Sequence, residues 1–479
     1  MKEELDELRA LIKDMERDYA RRARVVGTSL AKAVVDEAVF QRTFDLVIID
    51  EASMVSAPYV LFAAHLAARK MVICGDFKQL PPIAQSRHEP VQKWLGKDIF
   101  ALTGITEGVE SGRWPDQLVM LREQRRMHEE ISRHVNRLFY HGLLNDHPDV
   151  KKRQSIVERD PFPGSAVMWI DVSAAGAFTH KEQGGHSRFN LLTALFSLLL
   201  IGRALNAGHR SIGYIAPYVA QAQLVQAFLR DLFPEARGSE RAVVASTVHR
   251  FQGLEKDVIL FDAVDGPPFS KAGVLLEGDA AARLINVAMS RARGKLIILG
   301  NRTFLQDRLS AEHPLNRLSR ELEARGRIVD LRNVLDFQAD GMGAAGEALA
   351  IVPIERADEA DADEADADRN RAFRDDLRSA EELIVLRTDE SARYDLFPEL
   401  QALKDRGRKI VFLKARSDAP AVAASPEHIR QGWEVRDIPA RYAGEEWALI
   451  DNRLLWYVSR ERSSGFGIRV ASSRGLPAV

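Results

Sequence analysis

Two short apolar segments near the start of the chain end in polar side chains that could bind a ligand. The segments are Phe44–Ile49 and Met71–Cys74. Short β-branched runs that are apolar at nearly every position predict parallel strands buried on both faces. Ala57–Lys70 suits a crossover helix between them. Because ligands of open α/β sheets bind at the carboxyl ends of the strands, the sequence predicts a ligand site there. Its polar residues are Asp50, Glu51, Asp76 and Gln79.

Asp50 and Glu51 are neighbouring carboxylates at a predicted strand end, which suits the hydrolysis of a nucleoside triphosphate. In such enzymes an aspartate holds Mg²⁺, and a second group can orient and deprotonate the attacking water. Two solvated acids at the end of a strand would give the same dipeptide. The segment GDFKQLPP follows at the spacing of a neighbouring strand and favours the interpretation as a triphosphatase.

Together, DEAS and GDFKQLPP resemble motifs II and III of superfamily 1 helicases. The branch concerned includes the nonsense-mediated-decay helicase and its DNA-replication relatives. The resemblance implies tandem RecA-like domains that hydrolyse ATP in the cleft between them. It further implies that Asp50 binds Mg²⁺, that Glu51 is the catalytic base, and that Asp76 and Gln79 sense the γ-phosphate.

Residues 118–144 resemble motif IV of the same family, and the matching stretch includes Gln124 and Arg126. The resemblance implies that Gln124 contacts the nucleotide and that Arg126 reaches the γ-phosphate. A fixed and always charged guanidinium suits that place, because it stabilises charge that spreads over the phosphate oxygens. Without the resemblance, these arginines would be interpreted as the polar face of a basic amphipathic helix.

The stretch VVASTVHRFQGLEKDVILFD resembles motif V. The resemblance implies contacts with the nucleic-acid backbone from Ser246, Thr247 and His249. It implies contacts with the nucleotide from Gly253 and Glu255. A glycine suits such a position because it lets the backbone approach a phosphate closely. On its own, the sequence FQG would indicate only a turn.

Residues 283–300, RLINVAMSRARGKLIILG, resemble motif VI and imply a second arginine finger at Arg291. A basic helix with Arg291 and Arg293 more often presents a solvated face, so the assignment depends on the whole set of matches. Five such stretches, in order and at suitable spacings, lie between residues 25 and 301. That order makes a chance resemblance negligible.

Two shorter stretches resemble elements that touch the nucleic acid. Val25–Leu30 is expected to form a short strand and turn, and the resemblance places Thr28 and Ser29 at the nucleic-acid backbone. A plain turn would fit the same residues. The stretch APYVAQ is similar to the TPY..Q element of the family, which implies that Pro217 and Tyr218 lie beside the nucleic-acid track.

A triphosphatase of this type needs a phosphate-binding loop of the form GxxxxGK[ST], and the sequence contains none. The nearest glycine cluster, residues 341–348, lacks a lysine and follows no predicted strand. The family carries the loop upstream of DEAS. We therefore expect a first RecA-like domain that is incomplete at its N-terminal side, as in a truncated, split or degenerate helicase. A partner would then supply the missing segment.

Composition and charge exclude several classes of protein. The chain has 479 residues and a formal net charge of −2, so any nucleic-acid site must be a local groove. The single cysteine, Cys74, is expected in a buried strand, excludes an intrachain disulfide and fits a reducing compartment. The apolar stretch at residues 193–205 is too short to span a membrane and predicts a core helix, part of a long helix that begins at His186. No signal-peptide core is present. We expect a cytoplasmic protein that binds no membrane.

The pattern divides the chain into five segments. They are a helical arm at 1–24, a partial RecA-like domain at 25–117, a second RecA-like domain at 118–335, an acidic linker at 336–370 and a small α/β domain at 371–479. The last segment resembles a phospholipase D-like domain, whose catalytic motif is HxKxxxxD. With Asp451 at the motif's final position, Gly444 and Glu446 replace its histidine and lysine. The domain is therefore expected to be inactive, and His428 to be structural.

The sequence as a whole predicts an α/β protein with tandem RecA-like parallel-sheet domains and a small C-terminal domain. We expect a helicase or translocase that depends on ATP and Mg²⁺ and acts on single-stranded nucleic acid, with DNA favoured over RNA. The missing loop favours an alternative, a non-catalytic nucleic-acid-binding or interaction module. The joint presence of two acids, a glutamine and two arginines argues against it. A phosphodiesterase acting through the C-terminal domain is a third alternative, which Gly444 and Glu446 oppose.

Overall fold

The computed structural model divides the chain into two compact units, unit 1 (Met1–Leu121) and unit 2 (Arg122–Val479). The residues that it describes are 2–175, 177–182, 185–232, 242–278, 280–335, 349–354, 373–381, 383–387, 397–415, 434–438, 445–450, 454–459 and 467–472. Within these ranges, no helix combines the length and the apolar character that crossing a bilayer requires.

Unit 1 combines short helices with one long helix and a small parallel sheet. The helices are α1 (Lys2–Arg22), α2 (Leu30–Val35), α3 (Glu37–Phe40), α4 (Ala57–His65), α5 (Glu89–Trp94), α6 (Ile99–Leu102) and α7 (Ile105–Glu110). The strands are β1 (Phe44–Ile49) and β2 (Ala67–Ile73). Both strands, the crossover helix between them and the helical arm were predicted from the sequence and are confirmed. The crossover helix ends at His65, however, and β2 begins at Ala67, within the segment predicted as helix.

The predicted strand at Val25–Leu30 is wrong, because residues 25–29 form no strand and α2 begins at Leu30. The hydroxyl of Ser29 accepts a hydrogen bond from the amide of Lys32 at 3.2 Å. A serine that caps a helix in this way satisfies one of the unpaired amides of the first turn. Thr28 beside it is exposed.

The small sheet of unit 1 is covered on one face only. β1 and β2 pair in parallel, with Ile48 opposite Val72, and one face packs against α4 and α6. On the other face Leu46, Ile48 and Val72 are 48%, 61% and 44% exposed. These three side chains form what we call the open face. The prediction that both faces are buried is therefore wrong here, and Cys74, just beyond β2, is exposed as well.

Unit 2 contains a six-stranded sheet in the order β12-β5-β11-β10-β8-β9, and all of its pairs are parallel. Between residues 122 and 335 the strands are β3 (Glu123–Gln124), β4 (Asn145–Asp146), β5 (Val167–Asp171), β6 (His180–Lys181), β7 (Arg188–Phe189), β8 (Ile212–Ala216), β9 (Val243–Thr247), β10 (Lys256–Asp262), β11 (Ala292–Gly300) and β12 (Ile328–Asp330). The helices are α8 (Glu129–Phe139), α9 (Gln154–Val157), α10 (Leu191–Asn206), α11 (Val219–Leu232), α12 (Val248–Phe251), α13 (Val274–Glu277), α14 (Ala281–Ser290), α15 (Arg302–Arg308), α16 (Pro314–Glu323) and α17 (Leu331–Leu335).

The six-stranded sheet is buried on both faces, as the apolar runs of its strands predict. Helix α10, predicted as a core helix, is buried along most of its length. It begins at Leu191, where the side chain of Asn190 accepts a hydrogen bond from the amide of Thr193. The sequence predicted a start near His186, but β6 and β7 pair as a hairpin before the cap.

Parallel strands give this sheet one carboxyl edge and one amino edge. At the carboxyl edge β8 and β9 end side by side, with Ala216 opposite Thr247. At the amino edge β10 and β11 begin side by side, with Lys256 opposite Ala292. Ligands of such sheets gather at the carboxyl edge. The residues predicted to touch the nucleic acid follow β8 and end β9, whereas Glu255 and Arg291 directly precede β10 and β11.

The remaining strands of unit 2 form a seven-stranded mixed sheet in the order β13-β19-β18-β17-β14-β15-β16. They are β13 (Leu349–Ile354), β14 (Leu383–Arg387), β15 (Lys409–Ala415), β16 (Glu434–Ile438), β17 (Glu445–Ile450), β18 (Leu454–Ser459) and β19 (Gly467–Ser472). Helices lie at 373–378 and at Phe397–Asp405. β17 and β18 pair in antiparallel fashion.

Two predictions for this part of the chain meet the structure only in part. β13 lies within the predicted linker at 336–370 and pairs with β19, so that portion is strand. The acidic stretch at 355–369 lies outside the described residues. Gly444, Asp451 and His428 also lie outside them.

Candidate functional site

The polar turns that follow β1 and β2 lie together because the two strands are parallel neighbours. The amide of Cys74 donates to the Ile49 carbonyl at 2.7 Å, and the amide of Ala52 donates to the Cys74 carbonyl at 2.9 Å. A Cβ atom at Gly75 would stand 3.1 Å from the Ala52 amide nitrogen. Only a glycine therefore lets the turns approach without displacement. The structure brings both predicted acidic turns to one place.

Asp50 and Glu51 are exposed at the end of β1. The backbone of Glu51 is left-handed, with φ at 52°, and its amide donates to the Asp50 carboxylate at 3.0 Å. A left-handed backbone is uncommon for a residue other than glycine and persists only where the surroundings impose it. The next two residues, Ala52 and Ser53, are fully buried and begin a tight turn. The turn thus fixes both acids at the surface.

Asp76 is held within its own turn. Its two carboxylate oxygens accept hydrogen bonds from the amide of Lys78 at 3.0 Å and from the side-chain amide of Gln79 at 2.9 Å. The Lys78 ammonium pairs with Glu110 at 2.7 Å. Asp76 and Gln79 therefore form a positioned acceptor and donor beside the first acidic turn.

Asp50 fits Mg²⁺ chemically. This ion prefers oxygen ligands, keeps several waters and is usually bound by one or two carboxylates together with substrate phosphates. An exposed aspartate at a strand end can serve as one such ligand. Within the described ranges, no group of three or more His, Cys, Asp and Glu side chains is arranged as a metal site.

Arg126 and Glu255 form an ion pair near the amino edge of the six-stranded sheet. The Arg126 Nε atom donates to the Glu255 carboxylate at 2.7 Å, and its Nη1 atom donates to the Ser290 carbonyl at 3.3 Å. The two side chains are 38% and 43% exposed, so their attraction adds little stability. The pair instead holds an exposed guanidinium in one place, which suits a phosphate-binding arginine.

Gln124 shapes the turn that carries Arg126. Its side-chain oxygen accepts from the amides of Arg126 at 3.0 Å and Met127 at 2.8 Å, and its side-chain nitrogen donates to the Met127 carbonyl at 2.9 Å. The predicted nucleotide contact would require Gln124 to give up part of this arrangement. Gly253 has a φ of 79° with open space where a Cβ would stand, so its backbone is accessible to a ligand.

The two arginines that follow α14 differ in exposure. Arg291, the predicted finger, is only 2% exposed and bonds back to its own helix. Arg293 is 31% exposed and lies 3.7 Å from the Glu255 carboxylate and 3.6 Å from that of Asp257. Arg293 thus joins the charged cluster around Arg126, although its sequence suggested a solvated face. The sequence signal that could have identified Arg293 is a charged residue near the start of β11, an otherwise buried strand.

The residues predicted to contact the nucleic acid lie at the carboxyl edge of the six-stranded sheet or just beyond it. Pro217 and Tyr218 follow β8, and Ser246 and Thr247 end β9. All four are buried, with Tyr218 at 5%, Ser246 at 8% and Thr247 at 7% exposure. His249 is half-buried, and this burial lowers the pKa of its imidazole.

Tyr218 is tied to a buried carboxylate that sequence analysis did not identify. Its hydroxyl donates to Asp265 at 2.9 Å, and Arg188 donates to the same carboxylate at 2.9 Å. Burial raises the pKa of Asp265, against the opposing effect of Arg188, and burial also raises the pKa of the Tyr218 hydroxyl. The side chain of Tyr218 thus points into the interior in this structure, and its contact with the nucleic acid stays a prediction.

Comparison with known proteins yields matches over most of the first 303 residues. Two family models, both described as AAA domain, match residues 1–87 and 105–303. The chain is 28% identical over 324 residues to the DNA replication ATP-dependent helicase/nuclease DNA2 of Bos taurus, which covers 62% of this chain and 28% of that protein. It is 27% identical over 303 residues to the ATP-dependent helicase upf1 of Schizosaccharomyces pombe, which covers 61% of this chain and 30% of that protein.

A solved structure of the PRRSV helicase is similar at a TM-score of 0.27, with 15% identity over 55% of this chain and 36% of that one. The chain is therefore similar in sequence to the DNA2 and upf1 helicases over about three fifths of its own length. The chain spans less than a third of the length of either curated relative.

Proposed function

We propose that this chain is part of an ATP-dependent superfamily 1 helicase or translocase that acts on single-stranded nucleic acid. The observation that carries the proposal is the meeting of two acidic turns at the ends of β1 and β2. One turn offers Asp50 and Glu51, and the other offers Asp76 and Gln79. A metal ligand, a base and a phosphate sensor at one strand edge are the groups that phosphoryl transfer to water requires.

Each acidic residue has a separate role in this proposal. Asp50 holds the Mg²⁺ that accompanies the triphosphate. Glu51 accepts a proton from the water that attacks the terminal phosphorus, while the bond from that phosphorus to the diphosphate oxygen breaks. Gln79 and Asp76 respond to the presence of the γ-phosphate. These roles suit side chains that stand at the surface and are fixed by their turns.

The arginines of unit 2 supply positive charge. Arg126, oriented by Glu255, stabilises the charge that develops on the phosphate oxygens. Arg291 is assigned the same role, which requires it to leave the buried position that it has in this structure. Arg293 is half-buried, more exposed than Arg291, and already lies 3.7 Å from the Glu255 carboxylate. We therefore add Arg293 to the candidate phosphate-binding residues.

The phosphate-binding loop, we infer, comes from a further polypeptide segment, either upstream in a longer chain or in a separate partner. The sequence has no GxxxxGK[ST] motif, although the acids that work with such a loop are present. The open face of the β1–β2 sheet supports the same inference, because exposed apolar side chains on a sheet mark a surface suited to covering.

The nucleic acid and the C-terminal sheet also belong to the proposal. DNA is favoured over RNA because one relative is named as a DNA replication helicase, although another is an upf1 helicase.

The C-terminal mixed sheet is proposed to be an inactive phospholipase D-like domain. Support comes from Glu446 in β17, an acid where the catalytic motif of that family has a phosphate-binding lysine.

A non-catalytic nucleic-acid-binding module is the second candidate. The absence of a GxxxxGK[ST] motif from the sequence favours it. In that case the acidic turns would have no catalytic role, and replacing their carboxylates would have no effect on nucleic-acid binding.

The test measures ATP turnover by the chain alone and by the chain extended at its N-terminus with the loop-bearing segment of a related helicase. We expect the extended protein to hydrolyse ATP faster when single-stranded DNA is added. Glu51→Gln should lower that turnover by about a hundredfold or more, as expected for loss of a general base. Asp45→Asn, in the exposed part of β1, is the matched control and should change turnover less than twofold. An extended protein with no turnover above Glu51→Gln would favour the non-catalytic module.

A further inference from the structure

We propose that the loop at residues 266–271 contacts single-stranded nucleic acid through Phe269 and Lys271, and that Asp265 holds this loop in place through Arg188 and Tyr218. The inference rests on the proposed function. It adds residues that lie between the stretches resembling motifs V and VI and belong to neither.

The loop lies at the carboxyl edge of the six-stranded sheet. It follows β10, whose neighbours in the sheet are β8 and β11. Phe261 pairs with Ile215, so the end of β10 stands beside the end of β8, where Pro217 begins the predicted nucleic-acid element. The loop therefore emerges next to residues already expected to line the nucleic-acid track.

The loop carries the two kinds of group that bind a single strand. Phe269 is half-buried, and the guanidinium carbon of Arg188 lies 4.2 Å from the centre of its ring. Lys271 is exposed. Aromatic rings and guanidinium planes stack on bases, and an exposed ammonium neutralises a phosphate. One loop thus offers a stacking surface and a backbone contact within three residues.

Asp265 joins this loop to two other segments. It is 1% exposed and accepts hydrogen bonds from Tyr218 at 2.9 Å, from Arg188 at 2.9 Å and from the amide of Gly273 at 2.6 Å. Arg188 also donates to the Lys271 carbonyl at 3.2 Å. The β6–β7 hairpin, the element after β8 and the far end of the loop are therefore all tied to one carboxylate.

The place of Gly273 makes the arrangement sensitive to small changes. A Cβ atom at this position would stand 1.9 Å from the Tyr218 hydroxyl oxygen. A methyl group there must push the loop or the tyrosine aside. Loss of the hydroxyl would remove the closest clash.

Asp262, the last residue of β10 and three positions before Asp265, is a buried carboxylate with a purely structural role. It is fully buried and accepts from the Tyr214 hydroxyl at 2.6 Å, from Gln221 at 2.8 Å and from the amide of Val264 at 2.9 Å. Tyr214 and Gln221 are themselves fully buried. Asp265 differs because Arg188 and the ends of its loop connect it to the surface.

The first experiment measures binding of fluorescent 20-nucleotide dT and U oligomers by anisotropy, without nucleotide and at several salt concentrations. Phe269→Ala should weaken binding about tenfold with an unchanged salt dependence, because a stacking contact is lost. Lys271→Ala should weaken it about threefold at low salt and reduce the slope of log Kd against log salt by about one. Lys151→Ala, another exposed lysine, is the matched control and should stay within twofold.

The second experiment tests how the loop is held. Gly273→Ala should weaken binding about tenfold, and Tyr218→Phe about threefold. The double variant should bind better than Gly273→Ala alone, because the hydroxyl that the methyl group meets is gone. Additive losses in the double variant would contradict the positioning role. Melting curves accompany each variant, and if Gly273→Ala fails to fold, the Phe269 and Lys271 variants decide.

The outcomes separate this inference from the proposed function. If the wild-type chain binds neither oligomer, the inference fails, and ATP turnover by the extended protein decides the proposed function. If it binds, and both Phe269→Ala and Lys271→Ala remain within twofold of wild type, only the inference is overturned. Weaker binding of one oligomer than the other by the wild type, with losses in both loop variants, supports the inference and identifies the preferred nucleic acid.

Discussion

The β1–β2 sheet of unit 1 and the six-stranded sheet of unit 2 are built from the same kind of strand, yet they are covered differently. Ile298 in β11 is completely buried between β5 and β10, whereas Ile48 in β1 is 61% exposed. Both residues lie in apolar parallel strands. An apolar run therefore specifies a strand, but the elements packed on it decide whether its side chains leave water.

The two units also differ in what their sheets carry: buried helices in unit 2, and exposed acidic turns in unit 1. Unit 2 buries long helices such as α10 against its sheet. Unit 1 holds its acidic turns on a sheet with an open face, and α1 exposes Leu5, Leu8, Ile12 and Met15 at helical spacing. These surfaces agree with the proposal that a further segment completes unit 1. Three predictions test the contrast, beginning with the largest expected effect.

Ile298→Ala should destabilise the six-stranded sheet by about 3–4 kcal/mol, because it removes buried methyl groups and leaves a cavity. Ile48→Ala should change the stability of unit 1 by less than about 0.5 kcal/mol, because most of that side chain is already in water. Hydrogen exchange of peptides from β11 and β1, followed by mass spectrometry at increasing urea concentrations, reports on each unit. Equal losses of stability from Ile298→Ala and Ile48→Ala would show that the two sheets do not differ in how they are covered.

His209 should make unit 2 less stable in mild acid. Burial, with a contribution from Arg159, lowers the pKa of its imidazole from 6.5 to about 4. The Nε2 atom lies 3.0 Å from the Asp160 carbonyl, and the Nδ1 atom is buried without a hydrogen-bond partner, so the neutral ring fits and the charged ring does not. Between pH 6.5 and 4 the imidazole is therefore protonated in the unfolded state but neutral in the folded state. The free energy of unfolding should be highest above pH 6.5 and fall by about 3 kcal/mol as the pH is lowered to 4.

The check is the free energy of unfolding of unit 2 at pH 4.5, 5.5, 6.5 and 7.5, for the wild type and for His209→Gln. The variant should be less stable at pH 7.5 but should show a shallower decline toward acid. His141→Gln, at an exposed position, is the control and should keep the wild-type slope. Parallel curves for wild type and His209→Gln would show that another group governs the decline.

Cys74 should react rapidly with a thiol reagent in the folded chain. It is exposed one residue beyond β2, whereas a thiol inside a buried strand would be protected. We expect a rate within about threefold of that in the unfolded chain, measured by the absorbance released from a disulfide reagent, with Cys74→Ser as the blank. Fusion of the loop-bearing segment should slow the reaction if that segment covers this end of the sheet. A slow reaction in the chain alone would mean that the sheet is already covered.

Much of the fold could be predicted because local patterns determine it. The strands of the small sheet, most strands of the six-stranded sheet, the crossover helix α4 and the core helix α10 follow from apolar runs and their lengths. The edge strand β12 was not predicted. The wrong predictions have two kinds of cause, capping residues close in sequence and packing against elements far along the chain. Ser29 capped a helix where a strand was expected, and Asn190 delayed the start of α10 until after a hairpin. The burial of β1 depended on elements that no local pattern describes.

The sequence by itself determined which residues could do chemistry and that the two acidic turns would meet, since parallel strands bring their carboxyl ends to one edge. Only the tertiary structure decided which of these side chains stand in solvent. It buried Arg291 and Tyr218, kept Arg293 and Arg126 beside Glu255, and made Asp265 the anchor of a surface loop. The physical reason is that spacing along the chain fixes local geometry, whereas burial and charge pairing depend on segments far apart in sequence.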